Sequence, residues 1–161
     1  MERLFQEIAL FGPAVAFNIY FAAASIPIGF VFAVFLALGK ASPNPLISRL
    51  SRGYIYAFRG SPLFIQFFML YSLALSFNVT VWKPMGLSWF ILHPLFIGPL
   101  VLTLNTAAYT AEIFYGALRA VPRGAVEAAR AYGMSRSQQF RRVIWPNLIR
   151  LAWPAYTNEV V

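Results

Sequence analysis

Asn105, Tyr109, Glu112 and Gly116 recur at steps of four, three and four residues, so a helix carries them on one face, with Thr103, Thr106 and Thr110 alongside. Hydroxyls, an amide and a single carboxylate suit the handling of a polar solute rather than bond chemistry. An ionisable residue inside a spanning segment normally faces a bundle interior or a wet cavity. Arg119 follows Glu112 by seven residues, about 10 Å at 1.5 Å per residue. Glu112 is therefore either an interfacial carboxylate satisfied by a nearby arginine, or part of a translocation path formed with Asn105, Thr106 and Tyr109. On the second reading it favours cationic over anionic cargo. The lone His93, before Pro94 at the edge of an apolar run, reads as an interfacial side chain. The sequence has five acidic residues and no cysteine, and it lacks a phosphate-cradling glycine loop or a close carboxylate pair. No catalysis, metal site or bound cofactor is expected.

A second set of residues is positional rather than chemical. In EAARAYGMSRSQQFRRVIWP, residues 127–146, alanines lead to Gly133, which is placed to close a helix in the left-handed conformation. Pro122 is the expected opener of that helix. Ser135 with Gln138 three residues on predicts a capping box and a second short helix from Arg136, with Pro146 marking its end. Phe140, Val143 and Ile144 supply its apolar stripe.

These residues sit in a chain that is 60% hydrophobic and 11% charged, against about a quarter charged in soluble domains. Residues 8–39, 60–82 and 84–111 contain no Asp, Glu, Lys or Arg, and each run reaches the ~20 residues a spanning helix needs. The chain is predicted to be an all-α integral membrane protein, a single transmembrane domain over 1–161. Its spans are expected near 13–38, 61–80 and 95–118, with a hairpin over 119–150 and the start of a fourth span at 151–161. The last segment is interrupted by Glu159 and too short to cross, so the chain reads as a partial sequence. The first run is too long for a signal peptide and is preceded by Glu2 and Glu7 against one Arg3, so it reads as a retained helix.

The net charge of +8 follows topology. Of 13 Lys and Arg, four lie between the first and second runs and seven after the third, whereas only Arg3 and Lys83 lie on the other two connections. That asymmetry puts the N-terminus outside and the hairpin in the cytoplasm. Residues 46–58, mixing apolar residues with Arg49 and Arg52, suit a short helix on the cytoplasmic surface. Ser61 and Pro62 read as the N-cap and first residue of the second span. Gln66 within that span is expected to face another helix.

Glu127-Ala128-Ala129, Gly133 after three residues and Val143-Ile144-Trp145-Pro146 after nine more resemble the cytoplasmic signature of bacterial ABC importer permeases. Arg59 to Gln66, Leu104 to Ile113 and Pro154 to Glu159 look like the polar amino acid branch, nearest the M-type subunits of the histidine, lysine-arginine-ornithine and octopine/nopaline systems. The resemblance implies a MetI-like, type I importer bundle in the bacterial inner membrane. It also implies a second permease chain, as a hetero-pair, a periplasmic substrate-binding protein, and an ATP-binding cassette subunit that burns the ATP. Glu127, Ala128, Ala129, Gly133 and Pro146 would then belong to the hairpin that couples to that ATPase. The implied cargo is a basic or polar amino acid or an opine. The alternative is a membrane-anchored helix-turn-helix nucleic-acid-binding protein, weakened because Ala129, Tyr132, Phe140 and Val143 leave few side chains to read base edges. A secondary transporter is opposed by the lack of repeats and of carboxylates deep in the runs.

Overall fold

The computed structural model describes the backbone of residues 2–160 and the side chains of residues 11–159. Met1 and Val161, the end of the expected fourth-span segment, lie outside the described residues. The order is α1 (Glu2–Lys40), α2 (Pro45–Gly60), α3 (Leu63–Ser76), a π turn (Asn78–Trp82), α4 (Ser88–Leu92), α5 (Pro94–Ala120), α6 (Arg123–Ala131), α7 (Arg136–Gln139), a second π turn (Phe140–Ile144) and α8 (Trp145–Val160). Among the described residues there is no strand. Among the described residues two helices are long and apolar enough to cross a bilayer, Phe11–Lys40 of α1 and the whole of α5, and α2 with α3, bent by 112°, makes a third if the pair is one broken span.

The second expected span is not one helix. α3 has 14 residues, about 21 Å at 1.5 Å per residue, short of a hydrocarbon core of about 30 Å. The run is carried on by the π turn, where the N–H of Lys83 reaches the carbonyl of Asn78 at 2.8 Å. Side-chain bonds hold this widening: Ser88 Oγ donates to Asn78 Oδ1 at 2.6 Å, and Trp82 Nε1 donates to the Ala74 carbonyl at 2.9 Å. The start of α3 also differs from expectation. Pro62, not Ser61, is the N-cap, and no side chain caps the helix. The Ser61 hydroxyl instead accepts from Gln66 Nε2 at 3.0 Å. Satisfying a buried amide outweighs capping a free backbone N–H.

The chain gathers into two compact units, Met1–Gly29 with Gly60–Thr106, and Phe30–Arg59 with Ala107–Val161. In the first, small residues let α1 and α5 approach, the interface chemistry expected between helices in lipid. A Cβ at Gly98 would meet the Phe21 ring at 3.3 Å, and one at Gly29 would meet Thr106 at 3.4 Å. The Tyr20 hydroxyl donates to the Leu95 carbonyl at 2.8 Å.

The second unit has a core built on the same rule. Ala33 and Ala37 of α1, Ala107, Ala111 and Ala117 of α5 and Ala152 of α8 are all buried, together with Ile55, Phe114 and Leu148. Alanines at helical spacing bring backbones close, and one aromatic cluster fills what remains. Phe30 meets Phe114 and Tyr156 edge-on, with ring centroids 5.1 and 5.4 Å apart. Such pairs contribute roughly 0.5–1.5 kcal/mol beyond area burial. α2 docks through Ile55 and through Ser48, whose hydroxyl donates to the Lys40 carbonyl at the end of α1 at 3.0 Å.

Candidate functional site: a capped hairpin and the polar residues of α5

The hairpin is locked at its turn. α6 follows Pro122 and ends at Tyr132; Gly133 has φ +72°, the left-handed region. The N–H of Met134 bonds the Ala129 carbonyl at 3.1 Å and that of Gly133 bonds the Arg130 carbonyl at 3.0 Å. This pair of bonds closes the helix as a Schellman motif. α7 opens with the expected capping box: Gln138 N–H donates to Ser135 Oγ at 3.3 Å, and Ser135 N–H donates to Gln138 Oε1 at 2.9 Å. Gln139 is buried and donates from Nε2 to the Met134 carbonyl at 2.6 Å. The turn thus has its backbone and side-chain groups committed to one another.

Within the Glu-Ala-Ala triplet the three positions separate. Glu127 and Ala128 are exposed, whereas Ala129 is buried in the hairpin itself. Tyr132 is 85% exposed. Behind α6 lies an open groove of about 430 Å³, lined by Arg119, Arg123, Arg130 and Glu127 among apolar neighbours.

Pro146 does not end the second helix. It is the second residue of α8, which runs on to Val160. A proline is tolerated in the first turn of a helix, where its missing N–H costs nothing. The preceding π turn makes that possible, since Trp145 N–H bonds back to the carbonyl of Phe140. Proline after a helix and proline in a first turn look alike in sequence.

The polar residues of α5 have distinct partners. In the first unit, Asn105 Nδ2 donates to Gln66 Oε1 at 3.1 Å. Gln66, only 2% exposed, donates from Nε2 to both the carbonyl and the hydroxyl of Ser61 at 3.0 Å. The expected helix-facing role of Gln66 is met by these bonds. Thr106 is half-buried near Gly29, and Thr103 is buried.

In the second unit, Glu112 Oε2 accepts from Lys40 Nζ at 2.5 Å, and Arg59 Nη1 stands 3.6 Å away. The lysine lies 4.3 Å from the Tyr115 ring centroid, and the Arg59 guanidinium 5.4 Å from that of Tyr109. The Tyr109 hydroxyl donates to the Arg59 carbonyl at 3.4 Å. Thr110 is fully buried, and its Oγ1 has no hydrogen-bond partner. Glu112 thus has the geometry of a satisfied carboxylate, with a lysine as nearest cation rather than an arginine alone. Lys40 and Arg59 were not singled out as its partners from sequence. Their placement at the ends of apolar runs, like Glu112 itself, was the available signal.

Residues 15–161 match the family described as binding-protein-dependent transport system inner membrane component. The chain belongs to that family. Among curated members, it is 45% identical over 148 residues to the nopaline transport system permease protein NocM of Agrobacterium fabrum, covering 92% of this chain and 61% of that one. It is 43% identical over 147 residues to the histidine/lysine/arginine/ornithine transport system permease protein HisM of Escherichia coli K12, with 91% and 61% covered. The chain therefore spans about three fifths of the length of these relatives. A crystal structure of an amino acid ABC transporter with histidines has a chain similar to this one, at 28% identity and a TM-score of 0.71, covering 97% of this chain and 70% of its own. These inner membrane components are transport permeases by name, which supports a permease and not the nucleic-acid-binding alternative.

Proposed function

We propose that this chain is a permease subunit of an ATP-driven importer of a basic or polar amino acid or an opine. The observation that carries the reading is the hairpin: a doubly capped turn presenting Glu127, Ala128 and Tyr132 outward, in a member of a family of transport components. A ligand-driven change needs differential contacts in two states, and a turn held by its own hydrogen bonds transmits such contacts as a body. The partner at that knob is an ATP-binding cassette subunit in the cytoplasm, which binds and hydrolyses the ATP; this chain binds no cofactor and is not an enzyme. A second, different permease chain and a periplasmic substrate-binding protein complete the importer, and no nucleic acid takes part. Its place is the bacterial inner membrane, crossed several times, with the N-terminus periplasmic.

Asn105, Thr106, Tyr109 and Glu112 are the residues of α5 we assign to the translocation path. The Asn105 amide and Tyr109 hydroxyl supply hydrogen bonds, and Glu112, already met by Lys40, sets the charge near its inner end. The test is uptake of labelled amino acid together with co-purification of the ATPase. Glu127→Arg should abolish both uptake and ATPase retention while leaving insertion intact. Normal uptake in that variant sinks the coupling assignment. Asn105→Leu and Glu112→Gln should alter rate or preference, and unchanged transport in both removes them from the path.

A further inference from the structure

α2 presents three separate faces. Successive residues on a helix turn by about 100°, which places Ile47, Ser51, Ile55 and Phe58 on one side. Ser51 and Ile55 there are buried. A second side carries Leu46, Leu50, Gly53 and Ala57, all exposed, with Leu46 and Leu50 at 65% and 66%. The third carries Arg49, Arg52 and Tyr56, also exposed, Tyr56 at 82%. Arg52 is braced from within, its Nε donating to Ser48 Oγ at 3.1 Å. No acidic residue occurs between Lys40 and Glu112, and among the described residues neither Arg49 nor Arg52 forms an ion pair. Two exposed leucines next to an unneutralised cationic strip suit neither bulk water nor the centre of a bilayer. They fit the boundary between acyl chains and headgroups, where helices of this kind lie with their apolar face sunk about 5–10 Å.

We propose that α2 is an in-plane anchor for an anionic phospholipid surface: Leu46 and Leu50 enter the acyl layer, and Arg49 and Arg52 hold phosphate headgroups. Charge complementarity selects this occupant, because a basic segment beside a membrane is drawn to anionic lipid, by roughly fivefold for each arginine. The inference rests on the membrane reading above and adds a ligand class to it. It also gives lipid a route to α5, because α2 carries Arg59, which stands 3.6 Å from Glu112, and is tied to the end of α1 by Ser48.

The chain has no cysteine, so single nitroxide labels report cleanly. Labels at Leu50→Cys and Phe35→Cys are compared in nanodiscs of phosphatidylcholine with and without phosphatidylglycerol, measuring collision with oxygen and with a water-soluble nickel chelate. We expect the Leu50 label to favour oxygen when phosphatidylglycerol is present. Arg49→Gln with Arg52→Gln should reduce that lipid's advantage about 25-fold, the product of two such factors. Free access of the chelate to Leu50 in both discs overturns the proposal in favour of solvent. Exclusion of both reagents overturns it in favour of a covering protein, and an identical response to the two lipids removes the headgroup site. The Phe35 label, on an exposed position of α1, keeps the readings apart: chelate access there overturns the membrane reading itself.

Discussion

Replacing Gly133 by Ala isolates the backbone conformation of the hairpin turn. A Cβ built there meets nothing within 4 Å, so no neighbour is struck. The whole effect comes from φ +72°, a conformation that costs an L-residue roughly 1–2 kcal/mol. Alanine also restricts the open chain, which returns about 0.4–1 kcal/mol where the native conformation is accessible, so the net loss is about 1 kcal/mol. The bonds at stake are Met134 N–H to Ala129 and Gly133 N–H to Arg130. Opening of that turn should become about fivefold more frequent, and hydrogen exchange at the Met134 amide reads this directly. Asn, which tolerates the left-handed region through its short polar side chain, should fall between Gly and Ala. Val, β-branched, should be worst and should lose uptake altogether. Exchange at Met134 that is the same in Gly, Asn, Ala and Val variants refutes the reasoning, since the turn would not depend on its left-handed residue.

The amide pair in the first unit predicts a measurable coupling. In a double-mutant cycle, Gln66→Leu and Asn105→Leu should interact by about 0.6 kcal/mol, the average for interhelical hydrogen bonds in membranes, as read from unfolding in mixed micelles; strict additivity removes the bond. Glu112→Gln should weaken the grip on Lys40, and the exchange Lys40→Glu with Glu112→Lys should restore stability lost in either single variant. Failure of the swap places the pair's worth elsewhere. Gly39→Ala drives a methyl onto the buried Ser51 hydroxyl. It should cost about 1–3 kcal/mol by overpacking, recovered in thermal melts by adding Ser51→Gly.

Features held by near neighbours could be read from sequence; those decided across the chain could not. Ser135 and Gln138 are three residues apart and announce their own box, and Gly133 announces its own turn. Gln66 announces only a need for partners, and that need decides the fate of Ser61, whose hydroxyl serves the amide and leaves the helix cap empty. Glu112 finds its nearest cation 72 residues away, a pairing no local pattern encodes. Asn78 and Thr80 interrupt the apolar run and mark the end of α3 locally, but the π turn after it carries no local signal, since Ser88 holds Asn78 in the wider coil. Ala129 read like Ala128, yet the helix turns one inward and the other out.

The π turn between α7 and α8 fixes a rotational phase. One residue more than an α-helix needs is stored at Phe140–Ile144, and each residue corresponds to about 100° of rotation and 1.5 Å of rise. In a regular α-helix an added residue would turn everything beyond it by about that angle, but the wider turn takes the residue up locally and keeps the phase. Deleting a single residue there should therefore leave uniform α-helix with Glu127 and Tyr132 aimed nearly as before. A further insertion between Gln139 and Trp145 has no second wide turn to absorb it and should misaim the knob even when every residue in it is unchanged.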